Sequence, residues 1–151
     1  NNWTMSSEAT LPDANLWLAL FLDGHVHHPA ARRWLAAHPR ETLAFCRLTQ
    51  LAFLRHTTNA TIMGKNVLTQ ARAWREYEGL IGRDEIVFLP EPNGIEIRWR
   101  DYTSARQPAH RTWTDAYLAA FARGHGLRVV TFDRGFSKYE GTDVLVLNAD
   151  A

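Results

Sequence analysis

A chain of 151 residues with 46% hydrophobic and 22% charged residues can bury a core without covalent help, and its composition is that of a globular domain. A formal net charge of +1 excludes a strongly basic nucleic-acid coat, and no apolar run nears the roughly 20 residues that cross a bilayer. Cys46 is the sole cysteine, which excludes an internal disulfide; with no cationic, cleavable leader in view, a cytoplasmic location is expected.

Residues 1–10 carry no periodic pattern and are expected to stand outside the fold as a disordered or added leader, with Met5 a candidate start, so that one domain occupies residues 11–151. From there short apolar runs alternate with helical patterns. A strand at 10–13 leads into a helix at 14–22, and Pro29 suits the first turn of a second helix at 29–37, where Ala30, Trp34 and Leu35 share a face. A strand at 42–46, helices at 49–58 and 69–79, and a strand at 85–89 follow. Pro90 to Gly94 reads as a turn into a helix at 94–106. In the last helix, 113–124, Trp113, Tyr117, Leu118 and Phe121 recur at helical spacing and are expected in the core. Strands at 128–132 and 144–147 complete the chain. Such alternation predicts a mainly parallel sheet of about five strands between two layers of helices, a three-layer α/β/α fold with right-handed crossovers.

Ligands of parallel sheets bind beyond the carboxyl ends of the strands. Asp13, Asp115 and Asp133 each fall where an apolar strand ends or a helix begins. Each also has a structural reading. Asp13 suits a helix cap, Asp115 the acidic member of a capping box opened by Thr112, and Asp133 the first residue of a tight turn before Gly135. Three carboxylates at one sheet end would repel one another unless a cation balanced them. Oxygen donors suit magnesium or manganese, whereas one cysteine and no histidine pair at zinc-enzyme spacing leave nothing for zinc. His25, His27 and His28 read as a polar turn before a helix.

The ordered set Asp13-Ala-Asn15, His28-Pro-Ala-Ala-Arg-Arg-Trp34, Thr49-Gln-Leu-Ala-Phe-Leu-Arg55, Thr114-Asp-Ala-Tyr-Leu-Ala-Ala120 and Thr131-Phe-Asp-Arg-Gly-Phe136 resembles a PIN domain of the VapC toxin type, over nearly the whole of residues 11–147. The resemblance implies a magnesium- or manganese-dependent endoribonuclease. It also implies a homodimer silenced by a VapB-like antitoxin, with transfer or ribosomal RNA as substrate and translation as the process inhibited. It gives Asp13, Asp115 and Asp133 as metal-holding catalytic acids, with Asn15 and Thr131 in support. In-line attack by ion-activated water is then expected to leave a 3′-hydroxyl and a 5′-phosphate.

The departure from the family pattern is Gln50, which stands where a glutamate is usual and offers a neutral amide that can orient water but not act as a base. Of the 17 basic residues only Lys65 and Lys138 are lysines; among the arginines, Arg55 and Arg134 are candidates for RNA phosphate contact. Trp17, Trp34, Trp74 and Trp113 occupy helical positions suited to burial or to an oligomer interface. An alternative reading is a catalytically weakened RNA- or partner-binding module marked by Gln50. A phospho-accepting signalling domain is disfavoured because no late-strand lysine precedes the turn after Asp133, and an aspartyl-phosphate phosphatase because the second position after Asp13 holds Asn15.

Overall fold

The structure is a computed structural model that describes residues 9–148. Five strands, β1 (Ala9–Pro12), β2 (Thr42–Phe45), β3 (Ile86–Phe88), β4 (Arg128–Thr131) and β5 (Asp143–Val146), form one sheet in the order β3-β2-β1-β4-β5. Every neighbouring pair is parallel. The helices are α1 (Ala14–Phe21), α2 (His28–Ala37), α3 (Arg47–Thr57), α4 (Ala60–Met63), α5 (Gln70–Ile81), α6 (Ile95–Tyr102) and α7 (Trp113–His125), with 3-10 turns at Gly64–Asn66 and Arg134–Lys138. No described helix is long and apolar enough to cross a membrane.

Alternation along the strands builds two cores. Leu11, Ala44 and Val129 pack with Ile95 of α6 and Phe121 of α7 on one face. On the other, Leu43, Phe45 and Val130 meet Trp17 of α1, Trp34 of α2, Phe53 of α3 and Tyr77 of α5. Trp17 stacks flat on Phe45, ring centroids 3.8 Å apart. Sheet and two helical layers match the expected three-layer α/β/α fold.

Each expected strand is present within one residue at either end, because buried parallel strands are short apolar runs with abrupt edges. Helix ends follow local chemistry. The Cys46 N–H donates to Thr49 Oγ1 at 3.0 Å, so α3 starts two residues before the expected position 49. In α6, Thr103 Oγ1 donates to the Trp99 carbonyl at 2.7 Å and Ser104 Oγ to the Arg100 carbonyl at 2.6 Å. Those hydroxyls take carbonyls that a longer helix would need, and α6 stops at Tyr102 rather than 106. Gly126, at φ 69° in the left-handed region open to glycine, ends α7. The four-residue α4, capped by Asn59, was not expected. Trp17 and Trp34 are buried as their spacing predicts. Trp74 and Trp113 are not: 49% and 53% of their surfaces are exposed, and Trp113 lies outside the core assigned to it.

The chain leaves β1 toward β2 on one side and later returns to β4 on the other. That reversal of strand order opens a crevice beyond the carboxyl ends of β1 and β4.

Candidate active site

Asp13 follows β1 directly, and its backbone N–H prolongs the ladder to the Val130 carbonyl at 3.1 Å. Its carboxylate is held on both oxygens: Oδ1 accepts from the Leu16 N–H at 2.9 Å and Oδ2 from Thr131 Oγ1 at 2.5 Å. Thr131, the last residue of β4, also accepts from the Asp133 N–H at 2.9 Å through the same hydroxyl oxygen. Asp133 Oδ1 accepts from the Gly135 N–H at 2.8 Å. The expected helix cap and tight turn are therefore both real, and they are joined through Thr131 across the crevice.

Asp115 arrives from the first turn of α7. The capping box expected with Thr112 does not form; the Thr112 hydroxyl donates instead to the Ala109 carbonyl at 3.1 Å. Freed from that task, Asp115 lines one cavity of about 310 Å³ together with Asp13 and Asp133. Asn15, Arg55 and His56 share the wall.

Burial pushes the Asp13 carboxyl up to about 6, against the lowering effect of the Thr131 and Leu16 hydrogen bonds, and the charges of Asp115 and Asp133 push the same way. Asp115 is raised too, by burial first and then by Asp133, with Lys138 opposing. The Tyr139 hydroxyl is pushed up to about 12 by burial and by Asp115 and Asp133. Three groups on different elements thus feel one negative field.

The donor set consists of carboxylate oxygens, which suits a hard divalent cation, and the upward push on Asp13 and Asp115 from burial and neighbouring carboxylates is what such a cation would relieve. As they stand, no three His, Cys, Asp or Glu side chains among the described residues sit close enough to enclose an ion. The acids share a cavity without forming a closed ligand sphere.

A family model described as a PIN domain matches residues 10–141. The chain belongs to the PIN-domain family. Ribonuclease VapC41 of Mycobacterium tuberculosis is 43% identical to this PIN domain over 142 residues, 91% of this chain and 97% of the relative. Ribonuclease VapC29 of the same organism is 34% identical over 140 residues, covering 91% and 94%. Among solved structures, DNA-bound VapBC from Salmonella typhimurium shares the fold at a TM-score of 0.65 and 17% identity, over 93% of this chain and 98% of that one. FitAB bound to a DNA fragment does so at 0.62 and 17%, over 91% and 94%.

Not every residue singled out from the sequence reaches the cavity. Gln50 does not line it. The positions of α3 that do include Leu48, Ala52 and Arg55, and Gln50 lies about 200° around the helix from Leu48 at 3.6 residues per turn. Its buried amide accepts instead from Arg47 Nη1 at 2.5 Å, and that guanidinium covers the Phe88 ring. Arg134 is exposed on the turn after Asp133 and does not line the cavity, whereas Arg55 does. Asn15 lines the cavity but forms no side-chain bond to Asp13 among the described residues. Sequence reasoning missed Thr49 and His56 on the wall and Lys138 in the field of Asp115. Helical spacing alone did not mark the first two: Thr49 and His56 lie about 120° and about 100° around α3 from Arg55, close to the roughly 140° of Gln50, which is off the wall.

Proposed function

We propose that this PIN domain, one unit that takes in Ala9 and Thr10 of β1 rather than starting at residue 11, while the rest of the expected leader lies outside the described residues, is a divalent-metal-dependent endoribonuclease, the toxin of a VapBC-type pair that hydrolyses RNA phosphodiesters and inhibits translation. The observation that carries the reading is that Asp13, Asp115 and Asp133, brought from β1, α7 and the end of β4, line one cavity at the strand-order reversal. Support comes from 43% identity to a protein named as a ribonuclease along nearly the whole chain.

Asp13 and Asp115 would hold the ion, with Asp133 completing its shell. A bound Mg2+ or Mn2+ supplies neutralisation of phosphate charge and a more acidic water. The chain supplies position. Leu16 N–H and Thr131 Oγ1 fix the two oxygens of Asp13, so the carboxylate needs little reorganisation when charge moves. Arg55, exposed at the rim, offers a guanidinium to a substrate phosphate. Water attacks phosphorus in line, the bond to the 3′ oxygen breaks with a proton going to that oxygen, and the products are a 3′-hydroxyl and a 5′-phosphate. The partners are an RNA substrate of the transfer or ribosomal class, a VapB-like antitoxin and a second copy of the chain, in the cytoplasm. The reading as a weakened binding module rested on Gln50, and a side chain off the cavity wall gives it no support.

Mapping cleavage ends on total cellular RNA after brief induction tests the proposal, with Asp115→Asn as control. Discrete new 5′-phosphate ends are expected from the wild type, and a loss on the order of 10²–10³-fold in the variant and in chelator. Undiminished cleavage by Asp115→Asn would refute the assignment.

A further inference from the structure

Trp113 is the first residue of α7, and half of its surface is exposed. Nothing in the reaction as proposed uses it, yet it is held in place. The Trp99 indole N–H donates to the Trp113 carbonyl at 3.0 Å, and the two rings meet edge to face with centroids 6.3 Å apart at 83°. Trp99 is fixed in turn by an edge contact with Tyr117, 5.4 Å at 82°. Trp113 and Trp99, with Glu96, Arg100, Thr103 and Ser104, line an open cleft of about 500 Å³. The next residues along the chain, Thr114 and Asp115, line the acid cavity. One helical turn therefore carries a braced, exposed indole on one flank and a nuclease carboxylate on the other.

An edge-to-face pair leaves a ring face free, and every nucleobase can stack on such a face whatever its identity. The cleft favours a nucleotide over a second copy of this chain: beyond the two indoles its lining is polar, with Arg100 paired to Glu96 at 3.0 Å and hydroxyls at Thr103 and Ser104, rather than the apolar face that a copy would bury. Hydroxyls at Thr103 and Ser104 retain acceptor lone pairs for a base edge or a ribose 2′-hydroxyl. Bases in an A-form duplex are already stacked on one another, so the free ring face selects an unpaired one. A helix with its side chains is roughly 10–12 Å across, which separates the two flanks and assigns the stacked base to a neighbouring nucleotide, not to the one at the cut.

We infer that Trp113 is a stacking platform for an unpaired base beside the scissile phosphate, a subsite that makes this enzyme select single-stranded segments; the inference rests on the ribonuclease reading above. The test is fluorescence anisotropy with an end-labelled, mixed-sequence single-stranded RNA of about a dozen nucleotides. It is run in an Asp115→Asn background, with Trp113→Ala and Trp113→Phe added. Alanine should weaken binding about 5- to 150-fold and phenylalanine should restore most of it. A scan of single abasic sites along the RNA should locate one position where the alanine defect disappears. Equal binding by parent and alanine variant, a defect that no abasic site removes, or failure of the parent to bind the RNA overturns the inference. So does a fall in self-association of Trp113→Ala by sedimentation, which would make the cleft an interface between copies. Wild-type cleavage that is unaffected by Trp113→Ala sinks the platform alone. Tryptophan-dependent binding without any cleavage sinks the ribonuclease reading and leaves the platform standing.

Discussion

The raised Asp13 carboxyl makes the ion-free protein's stability depend on pH in a direction opposite to that of an ordinary paired acid. In the folded chain this group titrates near 6, against 3.8 for the unperturbed acid. Below 4 both states hold the proton and the group is neutral toward folding; as pH rises from 4 through 6 the unfolded chain releases its proton first, and stability falls. The gap is worth about 3 kcal/mol at one decade per 1.36 kcal/mol. Asp13→Asn removes this charge while leaving an oxygen to cap Leu16, but Thr131 Oγ1 then loses its acceptor, at about 1 kcal/mol. The variant should therefore be about 2 kcal/mol more stable than wild type at pH 7 in chelator and about 1 kcal/mol less stable at pH 4. Thermal melts should show this as roughly 4–8 °C at pH 7 for a chain of this size, with the two curves crossing in between. A divalent ion at about 100 times its dissociation constant adds roughly 2.7 kcal/mol to the wild type alone and should erase the difference at pH 7. Parallel pH profiles for the two proteins would refute the assignment of strain to Asp13.

Thr131→Val keeps the shape of a fully buried residue and deletes the hydroxyl that donates to Asp13 and accepts from the Asp133 N–H. Titration calorimetry should find divalent-ion affinity lowered roughly 10- to 100-fold, as for other partners that orient a metal ligand. Arg55→Ala should reduce the salt dependence of RNA binding, flattening the slope of log K against log salt by about 0.7, the share of one phosphate on a single strand; an unchanged slope removes Arg55 from the RNA path. Gln50→Ala should leave the cleavage rate within the scatter of wild type, since its amide bonds Arg47 away from the cavity, while denaturant melts should find a loss of about 1 kcal/mol. A rate that falls with no loss of stability would put Gln50 back among the catalytic groups.

Strands were legible because a parallel sheet covered on both faces demands short, largely apolar segments, and the runs Val129-Val130 and Leu43-Ala44-Phe45 within Arg128–Thr131 and Thr42–Phe45 have that form with turn residues close by. Helix interiors were legible from spacing, as in Ala30 and Trp34, which are both buried. The failures share a cause. Spacing fixes which residues lie on one stripe of a helix, but not what the stripe faces at its first turn, and Trp113 precedes the stretch of α7 that the sheet covers. For Gln50 the same limit applies: placing α3 at the correct depth in the fold left its rotation open, and the rotation turns its amide to Arg47 rather than to the acid cavity. The end of α6 depended on two hydroxyls choosing backbone partners, a local competition with no periodic signature.

For the aspartates, the structural and chemical readings looked like rivals in the sequence and are partners in the fold. Asp13 caps α1 through one oxygen, and the same bond sets the angle at which its other oxygen meets Thr131. Asp133 closes its turn through Oδ1 while its own N–H is anchored on the Thr131 hydroxyl. Asp115 lacks a cap partner in Thr112 and sits deep enough for its carboxyl to be raised by burial and by Asp133. Local hydrogen bonds thus hold the carboxylates of Asp13 and Asp133, so that these two cannot swing apart to relieve their repulsion. Replacing Asp13 by asparagine separates the two roles, because the cap survives and the charge does not. A cap at the carboxyl end of a parallel strand is for that reason no argument against the catalytic role proposed for Asp13; the same hydrogen bonds that cap α1 fix its carboxylate.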